Sequence, residues 1–227
     1  MMGSENRQYL EKFFPIASFI AAIIGPKCEV VVHDISDPER SIVHIENGYI
    51  SGRKVGDAST DLVLKILKSE AYHEEQYIAN YKASGKLGQS FRSSTYFIKN
   101  DQNKLVGLLC LNIDVSHMEV AAEWIQHILQ GGPNPYVSQT VAETPKEDKQ
   151  TTEYLQGNAD DLLQHMVSSV IGRLTIPPER LSSQEKIEIV RELNELGVFL
   201  LKGGVSHVAN SLSISEPTVY RYLQKLK

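Results

Sequence analysis

Residues 205–224 read VSHVANSLSISEPTVYRYLQ, and two short helices fit them without remainder. Val205 to Leu212 carries Val208, Ala209 and Leu212 on one stripe, and Ser213-Ile214 makes a tight turn. Ser215 then caps a second helix. Pro217 falls in its first turn, where a missing N–H costs nothing, and Val219, Tyr222, Leu223 and Leu226 line one face. Ala209 is small enough to let the two helices cross closely, while Ile214, Val219 and Tyr222 turn the second back onto the first. Ser213 holds the turn position that usually belongs to glycine, so a positive φ there costs ~1 kcal/mol. Upstream, Ser182-Ser183-Gln184-Glu185 is a capping box, followed by Ile187, Val190, Leu193 and Leu196 at helical spacing and by Gly197 at the helix end. Residues 182–227 are thus expected to form a small all-α unit of three helices.

Two helices across such a turn resemble a helix-turn-helix, whose second helix enters the major groove of DNA. The packing positions leave Ser215, Glu216, Pro217, Thr218, Tyr220, Arg221 and Gln224 facing outward. Hydroxyls and a helix N-terminus suit phosphate, and Arg221 and Gln224 suit base edges or backbone. The formal net charge of the chain is −5, which argues against coating nucleic acid through an overall field. The acidic load, however, spares this end: from Val205 onward Arg221, Lys225 and Lys227 face only Glu216.

Moving toward the N-terminus, Thr175-Ile176-Pro177-Pro178-Glu179-Arg180 breaks the chain before the three helices, and 153–181 is expected to be a connecting helix. Gly131-Gly132-Pro133-Asn134-Pro135 and the polar run to Thr152 read as a flexible linker over 131–152. Before it, Glu29–Ile35 (EVVVHDI) and Ser41–Glu46 (SIVHIE) read as strands of a hairpin. Ser59–Ser69 reads as a helix with Ser59 as its N-cap. Three further strands are expected at 76–82, 89–98 and 104–113, the last two joined by Asn100-Asp101-Gln102-Asn103. Ser116-x-x-Glu119 then opens a helix to about Gln130. Helix, two strands, helix, three strands, helix is an α+β order: an antiparallel sheet with flanking helices, followed by the small all-α unit.

The run Ile214-Ser215-Glu216-Pro217-Thr218-Val219-Tyr220-Arg221-Tyr222-Leu223 resembles the helix-turn-helix of the YheO-like regulators. Val31-Val32-His33-Asp34, Asn47-Gly48, 51–57 (SGRKVGD), Asn80-Tyr81-Lys82, Arg92-Ser93-Ser94-Thr95 and 107–112 (GLLCLN) resemble that family's PAS-like sensor domain. The resemblance implies a PAS-like ligand-sensing domain over 5–130 and a helix-turn-helix domain over 182–227. It also implies a bacterial transcriptional regulator that senses a small molecule, anionic or amino-acid-like, and binds a double-stranded DNA operator.

Candidate ligand-binding residues are His33, Asp34, Arg53, Arg92, Ser93, Ser94, Asn112 and Asp114. Arg53 and Arg92 offer bidentate donors to carboxylate or phosphate. Arg92, inside a strand, is expected to be buried and hence paired with Asp34 or Asp114, or with ligand. His33, Asp34 and His44 do not make a metal site, because successive strand residues point to opposite faces. No haem or flavin motif is visible, so no cofactor is expected. Cys110 reads as a small core residue, and nothing places a base beside a nucleophile, so no catalytic residue is assigned. Two cysteines, no apolar run of membrane-spanning length and no basic leader point to a cytoplasmic protein without a membrane partner. Phe13, Phe14, Ile16, Phe19, Ile20 and Ile23, with the helix around Trp124, exceed what one small sheet covers. Self-association to a homodimer or higher is therefore expected. The alternative is a small-molecule-binding signalling module whose C-terminal helices bind protein rather than DNA.

Overall fold

The computed structural model describes residues 2–69, 71–86, 88–130, 152–155, 157–174 and 176–226. Its N-terminal part runs α1 (Met2–Leu10), α2 (Phe14–Ile24), β1 (Cys28–Asp34), β2 (Ile42–Glu46), α3 (Asp61–Ser69), β3 (Tyr77–Gly85), β4 (Ser90–Lys99), β5 (Leu105–Asp114) and α4 (Ser116–Gln130). The order of helices and strands is the expected one, with the first helix divided by a 3-10 turn at Glu11–Phe13. Then come β6 (Thr152–Leu155), α5 (Ala159–Ile171), α6 (Ser183–Glu195), α7 (Gly204–Ser211) and α8 (Glu216–Lys225).

The strands form one sheet in the order β2-β1-β5-β4-β3-β6. β1 to β5 pair antiparallel, but β6 adds to β3 in parallel, Ala83 opposite Glu153, so the sheet is mixed. The segment expected to begin as a connecting helix at 153 therefore begins as a strand of the sensor sheet, and the helix proper is α5. Of the expected linker, only Thr152 lies within the described residues.

Strand parity divides the side chains. Cys28, Val30 and Val32 on β1 and Leu109 on β5 face one side, where Leu10, Ala17 and Ala21 of α1 and α2 cover them, and Val106 joins them where the β4–β5 ladder shifts register. Val31, Phe97, Leu108 and Cys110 face the other side, under Leu62, Val63 and Ile66 of α3. Gly107 admits α1 to the sheet: a Cβ there would stand 2.5 Å from Leu10 Cδ2 and 2.4 Å from the His33 carbonyl.

Two caps differ from expectation. Thr60, not Ser59, caps α3, its Oγ1 accepting from Val63 N (3.3 Å), while Ser59 Oγ donates to the Pro38 carbonyl (3.0 Å). At α4, Asp114 Oδ1 accepts from both Ser116 N and Ser116 Oγ, and Ser116 Oγ is spent on Ser90 N rather than on a capping box.

The C-terminal core joins α5, α6, α7 and α8 around Leu162, Met166, Val190, Leu193, Val208, Leu212 and Val219. The Ser182–Glu185 capping box is formed as expected. Leu64 of α3 belongs to this cluster, and Gly197 (φ +84°) meets it so closely that a Cβ would lie 3.0 Å from Leu64 Cβ. Lys202 N also donates to Glu39 Oε1 (2.6 Å), so the two halves are in contact.

Candidate functional site

A sheet that turns one face toward α3 should fill it with apolar side chains. Here part of that face is polar and sealed. Glu29 of β1, Ser93 and Thr95 of β4, and Asn112 of β5 are all within 1% of complete burial. Register places them side by side, Glu29 opposite Asn112 and Asn112 opposite Ser93. Arg53, on the loop between β2 and α3, is 4% exposed and pairs with Glu29 through Nη2. Ser51 Oγ also donates to Glu29, and Asn112 Nδ2 donates to Glu29 Oε1 at 2.9 Å. Ser93 Oγ donates in turn to Asn112 Oδ1 at 2.8 Å. Beside this chain the Tyr81 hydroxyl meets Thr95 Oγ1 (2.8 Å), which lies 3.3 Å from Cys110 Sγ.

β6 closes the cluster. Glu153 is 2% exposed and its Oε1 accepts from Thr60 Oγ1. Leu155 packs with Ile50, Ala83 and Phe91, and Tyr154 N donates to Asp61 Oδ1 (2.9 Å). Burial drives the Glu153 carboxyl up to about 7, against the opposing pull of the Thr60 hydroxyl and the Arg53 charge. Burial also pushes Asp61 upward, the Cys110 thiol to about 12 and the Tyr81 phenol upward. For Arg53, burial works against the charged form, yet Glu29 and then Glu153 outweigh it and the guanidinium is held more firmly charged. Among the described residues, Arg53 Nη1 is buried without a hydrogen-bond partner; Glu153 Oε2 is buried without a short one, but the Tyr81 hydroxyl interacts with the Glu153 carboxylate and helps hold it charged.

Of the eight residues expected to bind ligand, Arg53, Ser93 and Asn112 come together here. His33 lies on the same face but is tied to Ser41 Oγ through Nδ1 (2.9 Å), and burial drives its imidazole down to about 3. The other four stand elsewhere. Arg92 is exposed, its Nε donating to Asn80 Oδ1 (2.8 Å), because Phe91, Ser93 and Thr95 take the interior positions of β4 and leave it the outer face. The expected buried pair with Asp34 or Asp114 does not form. Ser94 shares that outer side and accepts from Asn80 N (3.1 Å). Asp34 accepts from Ser36 N (2.9 Å) at the strand end, and Asp114 pairs with Lys27 (3.0 Å), whose charge together with the Ser116 hydrogen bonds lowers its carboxyl despite the contrary effect of burial. Sequence reasoning missed Glu29, Ser51, Thr60, Tyr81, Thr95 and Glu153.

At the other end of the chain, Val219 (0% exposed) and Tyr222 (5%) pack α8 back onto α7, and Ala209 lies at the crossing. Ser213 takes φ +52°, as the turn demands. Glu216, Pro217, Tyr220, Arg221 and Gln224 are exposed. Within that face Glu216 Oε1 accepts from Ser206 Oγ (2.5 Å) and the Ser215 and Thr218 hydroxyls pair at 2.9 Å. The Arg221 guanidinium lies 5.7 Å from the Tyr222 ring centre. Lys186, buried in α6, donates to the Leu212 carbonyl (3.0 Å) and so fixes the end of α7 where the turn begins.

A PAS-like sheet with a sealed polar interior, joined to a helix-turn-helix, is the build of a transcriptional regulator. The chain belongs to the YheO-like PAS domain family, which it matches over residues 4–130, and residues 162–224 match an HTH domain. It is 27% identical to YheO of Escherichia coli (strain K12) over 220 residues, 96% of this chain and 85% of that one. It is 26% identical to the transcriptional regulator DauR of Pseudomonas aeruginosa over 226 residues, covering 100% of this chain and 98% of that one. The dark-state Aureochrome1 LOV domain aligns at a TM-score of 0.32 and 13% identity over 51% of this chain and 94% of that one, a likeness too slight to bear on function. Among the described residues no helix is long and apolar enough to cross a membrane.

Proposed function

We propose that this protein is a cytoplasmic, ligand-responsive transcriptional regulator: the PAS-like domain takes a small molecule into its polar interior, and α8 reads an operator in double-stranded DNA. The observation that carries the sensing half is the sealed cluster around Arg53. Interiors retain an ion pair at a cost, since apolar replacements are often neutral or stabilising. This one also keeps a donor at Arg53 Nη1 unspent. Buried polar groups left open to a ligand are what a sensor needs and what a purely structural core avoids. Ser215, Glu216, Pro217, Thr218, Tyr220, Arg221 and Gln224 make up the DNA-reading face.

With Arg221, Lys225 and Lys227 as its basic groups beyond Val205, one copy makes few phosphate contacts and binds weakly. A homodimer on a near-palindromic site meets that shortfall. α2 and α4 offer the surface for it: Phe19 is 65%, Trp124 67% and Leu129 80% exposed.

A gel shift with genomic fragments at low salt tests the reading, run before and after removal of whatever native mass spectrometry finds bound to the full chain. Retention of a subset of fragments that changes with the bound molecule is expected. Retention of no fragment at micromolar protein refutes it in favour of a module whose C-terminal helices bind protein.

A further inference from the structure

The two halves of the chain meet along α3. Leu64 of that helix is fully buried among the apolar side chains of α5 to α8, and Gly197, just past α6, lies against it. Residues four apart on a helix share a face, so the turn that sets Leu64 into this core sets Lys68 one turn further along the same side. There Lys68 lines a groove of about 340 Å³ with Asn194 of α6 and with Tyr220, Leu223, Gln224 and Leu226 in and just after α8. Tyr220 and Gln224 belong to the DNA-reading face assigned above, and the groove opens beside it.

We propose that this groove is a phosphate site, in which Lys68 of the sensor takes the backbone of the DNA that α8 reads. The proposal rests on α8 as the DNA-reading helix and adds to it a contact from the other domain.

The chemistry of the lining selects the occupant. The Lys68 ammonium, the Asn194 and Gln224 amides and the Tyr220 hydroxyl all offer donors, and none of the described lining residues is a carboxylate. In a chain of net charge −5 that is a local exception. Leu223 and Leu226 add an apolar wall, which suits a deoxyribose. The supply of charge points the same way. Arg191 of α6 is spent on Glu188 and Arg173 on Glu192, whereas Lys68 is exposed and, among the described residues, has no ion-pair partner. A lysine in the last turn of α3 also complements the helix dipole, but that local effect gives donors from α6 and α8 no reason to converge on it.

α3 opens at Thr60 and Asp61, which hold Glu153 and Tyr154 beside the polar interior. The helix that reaches the sensor's cluster at one end thus reaches the DNA at the other. A backbone phosphate bound by Lys68 and α8 together touches both halves at once and favours the arrangement in which α3 is seated on α6.

The test uses the full chain and duplex DNA, with affinity read by fluorescence anisotropy between about 50 and 200 mM salt. Lys68→Gln is expected to weaken binding to every sequence and to lower the slope of log affinity on log salt by about one for each copy bound. Its deficit should therefore shrink about 3-fold per copy across that salt range, with little change in melting temperature. Lys68→Arg should restore the slope. Lys104→Gln, which alters net charge equally from the β4–β5 hairpin, should change neither affinity nor slope. A second reading comes from Lys68→Cys carrying an iron–EDTA group, which labels selectively because Cys28 and Cys110 are buried. It should cut the backbone inside the protected site, should Lys68→Gln fail to fold. Cleavage no stronger than from Lys104→Cys carrying the same group overturns the proposal. So does unchanged affinity and slope in Lys68→Gln, or a loss with no change of slope; both leave α8 as the reading helix. No DNA binding by the unaltered protein removes the phosphate site and the reading beneath it.

Discussion

Glu29 and Arg53 can be taken apart one at a time, and the outcome is calculable. Glu29→Met strands a buried guanidinium whose remaining partner is Ser51 Oγ, reached from Nε at 3.3 Å. Arg53→Met strands a buried carboxylate still contacted by Ser51 and Asn112. Breaking a buried pair from one side costs ~3–5 kcal/mol. In a chain of this size each kcal/mol moves Tm by ~2–4 °C, so each single variant should melt ~6–20 °C lower. The double variant removes both charges and costs about two unmade hydrogen bonds, those of Asn112 and Ser51, at ~1 kcal/mol each. It should therefore be more stable than either single variant, with a coupling of at least ~3 kcal/mol, read by urea denaturation followed by far-ultraviolet circular dichroism. Additive losses, or single losses under ~1 kcal/mol, would show that solvent screens the pair and that the sealed interior is misread.

Four further outcomes are expected. Arg221→Ala, which removes an exposed side chain and leaves Val219 and Tyr222 in the core, should cost ~1–3 kcal/mol at the operator alone if the guanidinium reads guanine. If it holds phosphate, all sequences should weaken and the salt slope should fall by about one; unchanged affinity in fluorescence anisotropy removes α8 from the interface. Ser213→Gly should raise stability by up to ~1 kcal/mol, because φ +52° strains a serine and the exposed bond it loses, to Glu179, is weak; a lower melting temperature contradicts this. Trp124→Lys with Ile128→Asp should leave a folded monomer by light scattering, whereas an intact dimer moves the self-association surface elsewhere. For pH, His33 is depressed to about 3 from 6.5, so its contribution is present above 6.5 and is lost as pH falls toward 3. Glu153 is raised from 4.5 to about 7, so its contribution is present below 4.5 and is lost as pH rises through 7. Urea midpoints should consequently decline between pH 6.5 and about 7.5, and Glu153→Gln should flatten that decline.

Local chemistry made the C-terminal half readable. The Ser182 capping box, the Gly197 helix end and the spacing of Val208, Val219 and Tyr222 are each set by neighbours in sequence, and all three helices lie where those signals put them. The sensor's strands were legible for the same reason, through hairpin turns and β-branched runs. The interior site was only partly so. Parity would have placed Arg92 correctly, since Phe91 and Phe97 fix the inward set of β4 and an even-numbered residue between them must face out. Glu29 reads as a polar strand start and reveals itself only when Asn112 is known to stand opposite. Glu153 had no local signal at all. It lies 93 residues from Thr60, on a strand of four residues whose parallel pairing with β3 no hairpin announces.

β6 also stands between the two family matches, which end at residue 130 and resume at 162. A sensor fragment cut at 130 would lack it. β3 would then become an edge strand with a bare row of N–H and C=O groups, and Leu155 would vanish from over Ile50 and Phe91. Open edges recruit strands from other molecules, so such a fragment would be prone to aggregate. In the full chain the same edge permits domain swapping, the β6 of one copy completing the sheet of another. Work on the sensor alone should carry the chain through Leu155, and oligomeric states measured on shorter pieces will report the missing strand rather than the native assembly.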